Sequence, residues 1–139
     1  MKTRTLTRFA TKEDGQALVE FALIMPFLLL FLVGIIEFGR AWNEHEVLTD
    51  ATREGARKAA IDNPNITLDS VNNTIIARLA SANITADSIV VNWDDAVHGS
   101  DITVHVVVPY RFVFFGALAG WATGDRNILL KSTFTMRNE

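Results

Sequence analysis

The spacing of apolar and polar positions changes character along this chain, and each change marks an element. A mixed, charged opening of 14 residues gives way to a run from Ala17 to Phe38 in which only Glu20 and Glu37 are charged. Residues 21–36 carry no charged or strongly polar side chain at all. A helix needs about 20 mostly apolar residues to cross a bilayer. A core helix of a soluble domain seldom lacks a polar face over such a length. The run therefore predicts a membrane-spanning helix over about 17–38. A cleaved secretory signal is the nearest competitor, but its apolar region is usually shorter and is followed by a small-residue cleavage site. Here Gly34, Gly39 and Ala41 are small, whereas Glu37 and Arg40 intrude. Pro26 removes one backbone donor inside the run and is expected to bend the helix near residues 22–26, which membrane helices tolerate.

No terminator follows between Arg40 and Ile61. Leu48, Ala51, Thr52, Gly55, Ala56 and Ala59 form one stripe at helical spacing, with Thr49, Asp50, Arg53, Glu54, Arg57 and Lys58 on the other faces. One continuous helix over about 16–61 is predicted, its stalk covering 39–61. At about 1.5 Å per residue it reaches about 70 Å, well beyond a membrane about 30 Å thick. Ala51, Gly55 and Ala59 make a small-residue ridge that lets another backbone approach closely. Packing against the chain's own head is preferred to a contact between subunits. Gly55 in a helix interior costs about 1 kcal/mol relative to alanine, and close packing is the usual reason to accept that. Glu37, Arg40 and Glu44 can pair along one helix face. They read as a membrane-edge charge cluster in preference to a partner contact.

The segment "DNPN" at 62–65 breaks the helix and opens a head over 62–139. Thr67 is placed to cap a second helix, with Asp69 favourable in its first turn. Leu68, Val71, Ile75 and Leu79 supply its apolar face. The period then becomes two. Ile89, Val91 and Trp93 alternate with Val90 and Asn92; Ile102, Val104, Val106 and Val108 alternate with Thr103, His105 and Val107. Ile128, Leu130, Phe134 and Met136 alternate with Leu129, Lys131, Thr133 and Thr135. These are three strands, and "DDAVHGSD" reads as the first hairpin loop. The expected fold is α+β: a long N-terminal membrane-spanning helix, then a short helix packed on a three-stranded antiparallel sheet. Between the last two strands lies "RFVFFGALAGWATGD", apolar yet rich in glycine. Two readings stand for Phe112, Phe114, Phe115, Leu118 and Trp121. They form a partner or membrane contact, or they fold back over the sheet and fill its small core.

Charge adds an orientation. Residues 1–14 carry a net +2 within a chain of net −3, which leaves −5 for the rest. A basic flank before an apolar run keeps the N-terminus cytoplasmic and sends the head across the membrane. The net charge shows no nucleic-acid footprint. The absence of cysteine excludes a disulfide scaffold, a zinc ribbon and a thiol nucleophile. His45, His98 and His105 lack ligand spacing. Asp94, Asp95 and Asp101 flank one loop and could hold calcium, but without an EF-hand pattern. No nucleophile elbow, phosphate loop or paired-acid motif is present, so neither an enzyme nor a cofactor is expected. Asn65, Asn72 and Asn83 each begin an N-x-[ST] sequon, which means little if the protein is bacterial.

The remaining puzzle is Glu20. An ionisable group in an apolar layer is costly and points to function by default; the plainer reading is a hydrated residue marking the end of the span. Gly15 lies five residues before it. A cut after Gly15 would make Gln16 the first residue and Glu20 the fifth. This arrangement resembles the class III signal of type IV pilins and pseudopilins. That resemblance implies a membrane prepilin peptidase that cuts after the glycine on the cytoplasmic side and leaves the helix attached. Glycine gives a protease unobstructed backbone. The new amine at Gln16 is a cation, and pairing with Glu20 on the same or a neighbouring subunit would offset the cost of a charge in a dry layer. Further on, "VEFALIMPFLLLFLVGIIEFGRAW" followed by "LTDATREGARKAA" is similar to the TadE-like pseudopilins of the tight-adherence (Tad) pilus system. The matching features are Glu20-Phe21, Pro26, Glu37-Phe38-Gly39-Arg40 and Arg53-Glu54-Gly55-Ala56-Arg57. The likeness covers about residues 15–60, and residues 62–139 show no family pattern. It implies a minor pilin with a leader over 1–15, held in the bacterial inner membrane by a single span. Its implied partners are the prepilin peptidase, other pilins or pseudopilins and the pilus assembly platform. The alternative is an uncleaved single-span protein whose extracytoplasmic head binds a ligand or protein through the 112–122 loop.

Overall fold

The computed structural model describes residues 12–61, 65–93, 99–116, 120, 124 and 127–138, for 12–14 the backbone alone. Helix α1 runs Lys12–Ala59, 48 residues with Pro26 inside it. It starts four residues before the expected position and ends two residues earlier. Its last turn tightens, the Ala60 N–H donating to the Ala56 carbonyl at 3.0 Å and the Ile61 N–H to that of Lys58 at 3.4 Å.

The chain divides into two units, Met1–Ile36 and Glu37–Glu139. In the first, α1 presents apolar side chains on every face: Leu18, Phe21, Leu23, Phe27 and Phe31 are all exposed. This is a helix long and apolar enough to cross a membrane, as a single-pass protein requires.

The second unit is an α+β head. Helix α2, Leu68–Ala80, begins at Thr67. The Thr67 hydroxyl accepts from the Ser70 N–H at 3.2 Å, and the Thr67 N–H donates to Ser70 Oγ at 3.2 Å. This reciprocal capping box uses serine in the position where glutamate or glutamine is more common. The helix ends through Asn83, whose φ of +59° turns the chain so that the Ile84 N–H reaches the Leu79 carbonyl at 3.0 Å. Val71, Ile75 and Leu79 are buried, as their spacing predicts. Leu68, expected on the same face, is instead exposed at the helix start.

Strands β1 (Ser88–Asn92), β2 (Asp101–Arg111) and β3 (Asn127–Arg137) form an antiparallel sheet in the order β1-β2-β3. Central β2 sets the register, Val104 lying opposite both Val91 and Phe134. Its inward residues Ile102, Val104, Val106, Val108 and Tyr110 are buried. On β3 Leu130, Ser132, Phe134 and Met136 face inward, with Ser132 buried between Leu130 and Phe134, while Ile128, on the same face opposite Tyr110, is exposed near the start of the strand. The outer face is polar in part. Thr103 and Thr135 hydroxyls lie 3.0 Å apart, and His105 Nδ1 lies 2.6 Å from Thr133 Oγ1, cross-strand pairs that reinforce register.

The core joins Leu48, Ala51, Ala56 and Ala59 of α1 to α2 and the inward face of β2. Gly55 sits at the closest approach. A Cβ there would stand 2.5 Å from Ile75 Cγ1 and 2.6 Å from its Cδ1. Two cations of α1 also reach the head. Lys58 Nζ donates to the Ser70 carbonyl at 2.8 Å and to Thr74 Oγ1 at 2.7 Å. The Arg53 guanidinium lies 5.3 Å from the centre of the Phe134 ring.

Candidate functional site

Among the described residues, two places set a carboxylate in or beside the apolar run. The first is the start of α1. Gly15, Gln16 and Glu20 are exposed, and the Gln16 side-chain amide donates to Glu20 Oε1 at 3.0 Å across one helical turn. Among the described residues, a Cβ on Gly15 would meet no atom within 4 Å. The bond between Gly15 and Gln16 lies within helical backbone. Pro26 is part of the exposed apolar segment.

The second place is Glu37. This carboxylate is 3% exposed, although its helix neighbours Ile35, Ile36 and Phe38 are exposed. Its Oε1 accepts the Tyr110 hydroxyl at 2.7 Å and the Val113 N–H at 3.0 Å. Its Oε2 accepts the Phe114 N–H at 3.0 Å. The Tyr110 oxygen also lies 3.1 Å from the Glu37 carbonyl. Arg40 Nη1 approaches Oε1 at 3.5 Å from the solvent side. Successive backbone N–H groups around an anion form a small concave nest, and charge-assisted bonds of this kind are the stronger ones. Glu37 thereby holds the turn that leaves β2 against α1. Tyr110 packs edge-on against Phe112, ring centres 5.4 Å apart. Burial, the bond to Glu37 and the charge of Glu37 push the Tyr110 hydroxyl up to about 12.

With two donors on Oε1 and one on Oε2, the Glu37 carboxylate ties the end of β2 and the following turn to α1. Arg40 pairs with Glu37 and forms no ion pair with Glu44, so the expected three-membered edge cluster is one pair. Burial raises the Glu44 carboxyl, an effect that Arg40 opposes. An open groove beside the turn is lined by Arg40, Glu44, Asn83, Ile84 and Arg111.

Of the other residues singled out in the sequence, Ala51, Gly55 and Ala59 are buried, with Gly55 facing Ile75 of the chain's own head. Phe112 and Phe115 are half-buried and Phe114 is exposed. The described part of this loop is bonded to Glu37 and presents Val113 and Phe114 outward. Leu118, Trp121, Asp94, Asp95 and His98 lie outside the described residues, and Asp101 is an exposed residue at the start of β2. Tyr110 was missed in the sequence, although it continues the inward alternation of Ile102 to Val108 by one step. A buried tyrosine hydroxyl requires a partner, and the charged residues at the end of the apolar run were the candidates.

A family model described as TadE-like protein matches residues 15–57. The match begins at Gly15, takes in both Glu20 and Glu37, and ends within the packed part of α1. No curated protein and no solved structure matches the chain.

Proposed function

We propose that this protein, TadE-like over residues 15–57, is a minor pilin or pseudopilin of a Tad-type pilus, processed after Gly15 by a prepilin peptidase and needed to initiate or assemble the filament. The observation that carries the reading is that the match starts at Gly15 itself and runs through the apolar helix. Among the described residues Gly15 makes no packing contact that would require a glycine, yet glycine in a helix costs about 1 kcal/mol relative to alanine. Recognition by the peptidase is a reason to keep it. Hydrolysis adds water across the Gly15–Gln16 peptide bond, leaving a carboxylate on Gly15 and an amine on Gln16. That amine is one helical turn from Glu20, whose carboxylate then has a cation to neutralise it in the apolar layer. The helix stays in the inner membrane and carries the head outside, among other pilins and the assembly platform.

The deciding experiment is the intact mass and N-terminal sequence of the protein from its own membranes. A chain beginning at Gln16 is the expected result. A chain retaining Met1 or Lys2 would favour the second reading, an uncleaved single-span protein with a binding head, for which the exposed Val113 and Phe114 speak. A cut beyond residue 34 would mean a secreted protein and would overturn both.

A further inference from the structure

We propose that the Val113–Phe114 turn is a second membrane contact, seated in the phospholipid interface beside the exit of the span. The inference rests on the single-span part of the reading above and is independent of pilus assembly.

The first observation is exposure. Val113 is 59% and Phe114 57% exposed, two consecutive apolar residues on a turn. The second is how the turn is held. The N–H groups of both residues donate to the Glu37 carboxylate at 3.0 Å each. Backbone polar groups that enter lipid must be satisfied from within the protein, and an unpaired amide in an apolar medium is penalised. A protein partner could supply such bonds itself; lipid cannot. The tip of this turn needs none from outside for these two donors, which suits it to lipid. The third observation is the place of the anchor in the chain. Glu37 is the first charged residue after the uncharged run 21–36. The turn is pinned to the residue at which the chain leaves the apolar layer. The flanking aromatic residues of α1, Phe38 and Trp42, are 68% and 57% exposed, and aromatic side chains concentrate at membrane–water interfaces. Arg111, exposed at the end of β2, has a long stem that lets its charge reach the headgroups while its neighbours lie deeper.

An apolar tip inserted in the interface adds a second point of attachment to that of the helix. Binding of this interfacial kind scales with the apolar area inserted.

The chain contains no cysteine, so one introduced thiol labels one position. Full-length Phe114→Cys, Val113→Cys, Phe27→Cys and Val90→Cys variants, each carrying a nitrobenzoxadiazole label, are reconstituted into phosphatidylcholine/phosphatidylglycerol vesicles. Quenching by doxyl lipids is compared with quenching by aqueous iodide. Phe27 reports the span and Val90 the outward surface of β1. The expected result is blue-shifted, lipid-quenched emission at Phe27, Val113 and Phe114, with iodide-quenched emission at Val90. Lipid quenching at Phe27 with iodide quenching at both turn positions would overturn the second contact and leave the span standing. Shielding of the turn from both quenchers would overturn it in favour of a contact with a second copy of the chain. Iodide quenching at Phe27 would remove the span and the proposal together.

Discussion

The Tyr110 hydroxyl donates to Glu37 Oε1 at 2.7 Å, joining the end of the central strand to a helix residue 73 positions earlier in the chain. Both groups are buried. Because Glu37 also accepts the N–H groups of Val113 and Phe114, one carboxylate fixes the helix, the strand end and the turn together.

Tyr110→Phe removes one bond to a charged acceptor while keeping the ring, and should destabilise the head by about 1.5–3 kcal/mol. Glu37→Ala should cost more, since it leaves several donors without their acceptor. The double variant should lose less than the sum of the single losses, because both act on one network. Denaturant midpoints of the full chain in detergent measure all three. A wild-type midpoint for Glu37→Ala would remove the anchor from the account.

The chain has a single tyrosine, so phenolate absorbance follows Tyr110 alone. In the folded protein its ionisation should be delayed to about pH 12, against about 10 in an unfolded chain. The folded state holds this proton more tightly than the unfolded one. Its contribution to stability is therefore fully present below pH about 10 and is lost as pH rises through the folded value. Glu37→Gln should bring the titration down part of the way, because the carboxylate charge is removed while the burial, the largest cause, persists.

Gly55→Ala is predicted to destabilise, against helix propensity. The added methyl would stand 2.5 Å from Ile75 Cγ1, an atom of a fully buried, β-branched side chain. Overpacking of this kind costs about 1–3 kcal/mol, more than the gain of about 1 kcal/mol from replacing glycine in a helix. In an Ile75→Ala background the same substitution should become neutral or stabilising. Gly39→Ala is the contrasting case, since a Cβ there meets nothing within 4 Å. It should stabilise by up to about 1 kcal/mol. Thermal unfolding of the four variants checks the set.

Glu20→Ala should leave the stability of the head unchanged and still reduce the number of assembled pili in the native host. Glu20 is exposed and, among the described residues, its side chain is bonded to Gln16. A strong effect on filaments with an unaltered unfolding midpoint is the expected pair of results. Normal piliation would count against its pairing with the N-terminal amine.

The sequence by itself determined whatever depends on near neighbours. The apolar run gives a helix long and apolar enough to cross a membrane, since twenty or so residues of one character need no distant partner to be recognised. Thr67 and Ser70 cap α2 from within three residues. The alternation of Ile102 to Val108 identifies the inward face of β2 because side-chain direction in a strand has a period of two. The small stripe of Ala51, Gly55 and Ala59 was also visible, along with the preference for the chain's own head as its partner. The tertiary structure alone decided which side chain fills the space at Gly55, because Ile75 reaches it only when α2 folds back. It alone decided the role of Glu37, which by spacing reads as one of three charges at a membrane edge. Its donors lie 73 to 77 residues away, and no local pattern encodes a hydrogen bond across that separation. Ile128 and Leu68 show the same limit from the other side. Each sits correctly in its repeat, but at the end of its element, where the core it should face has already ended.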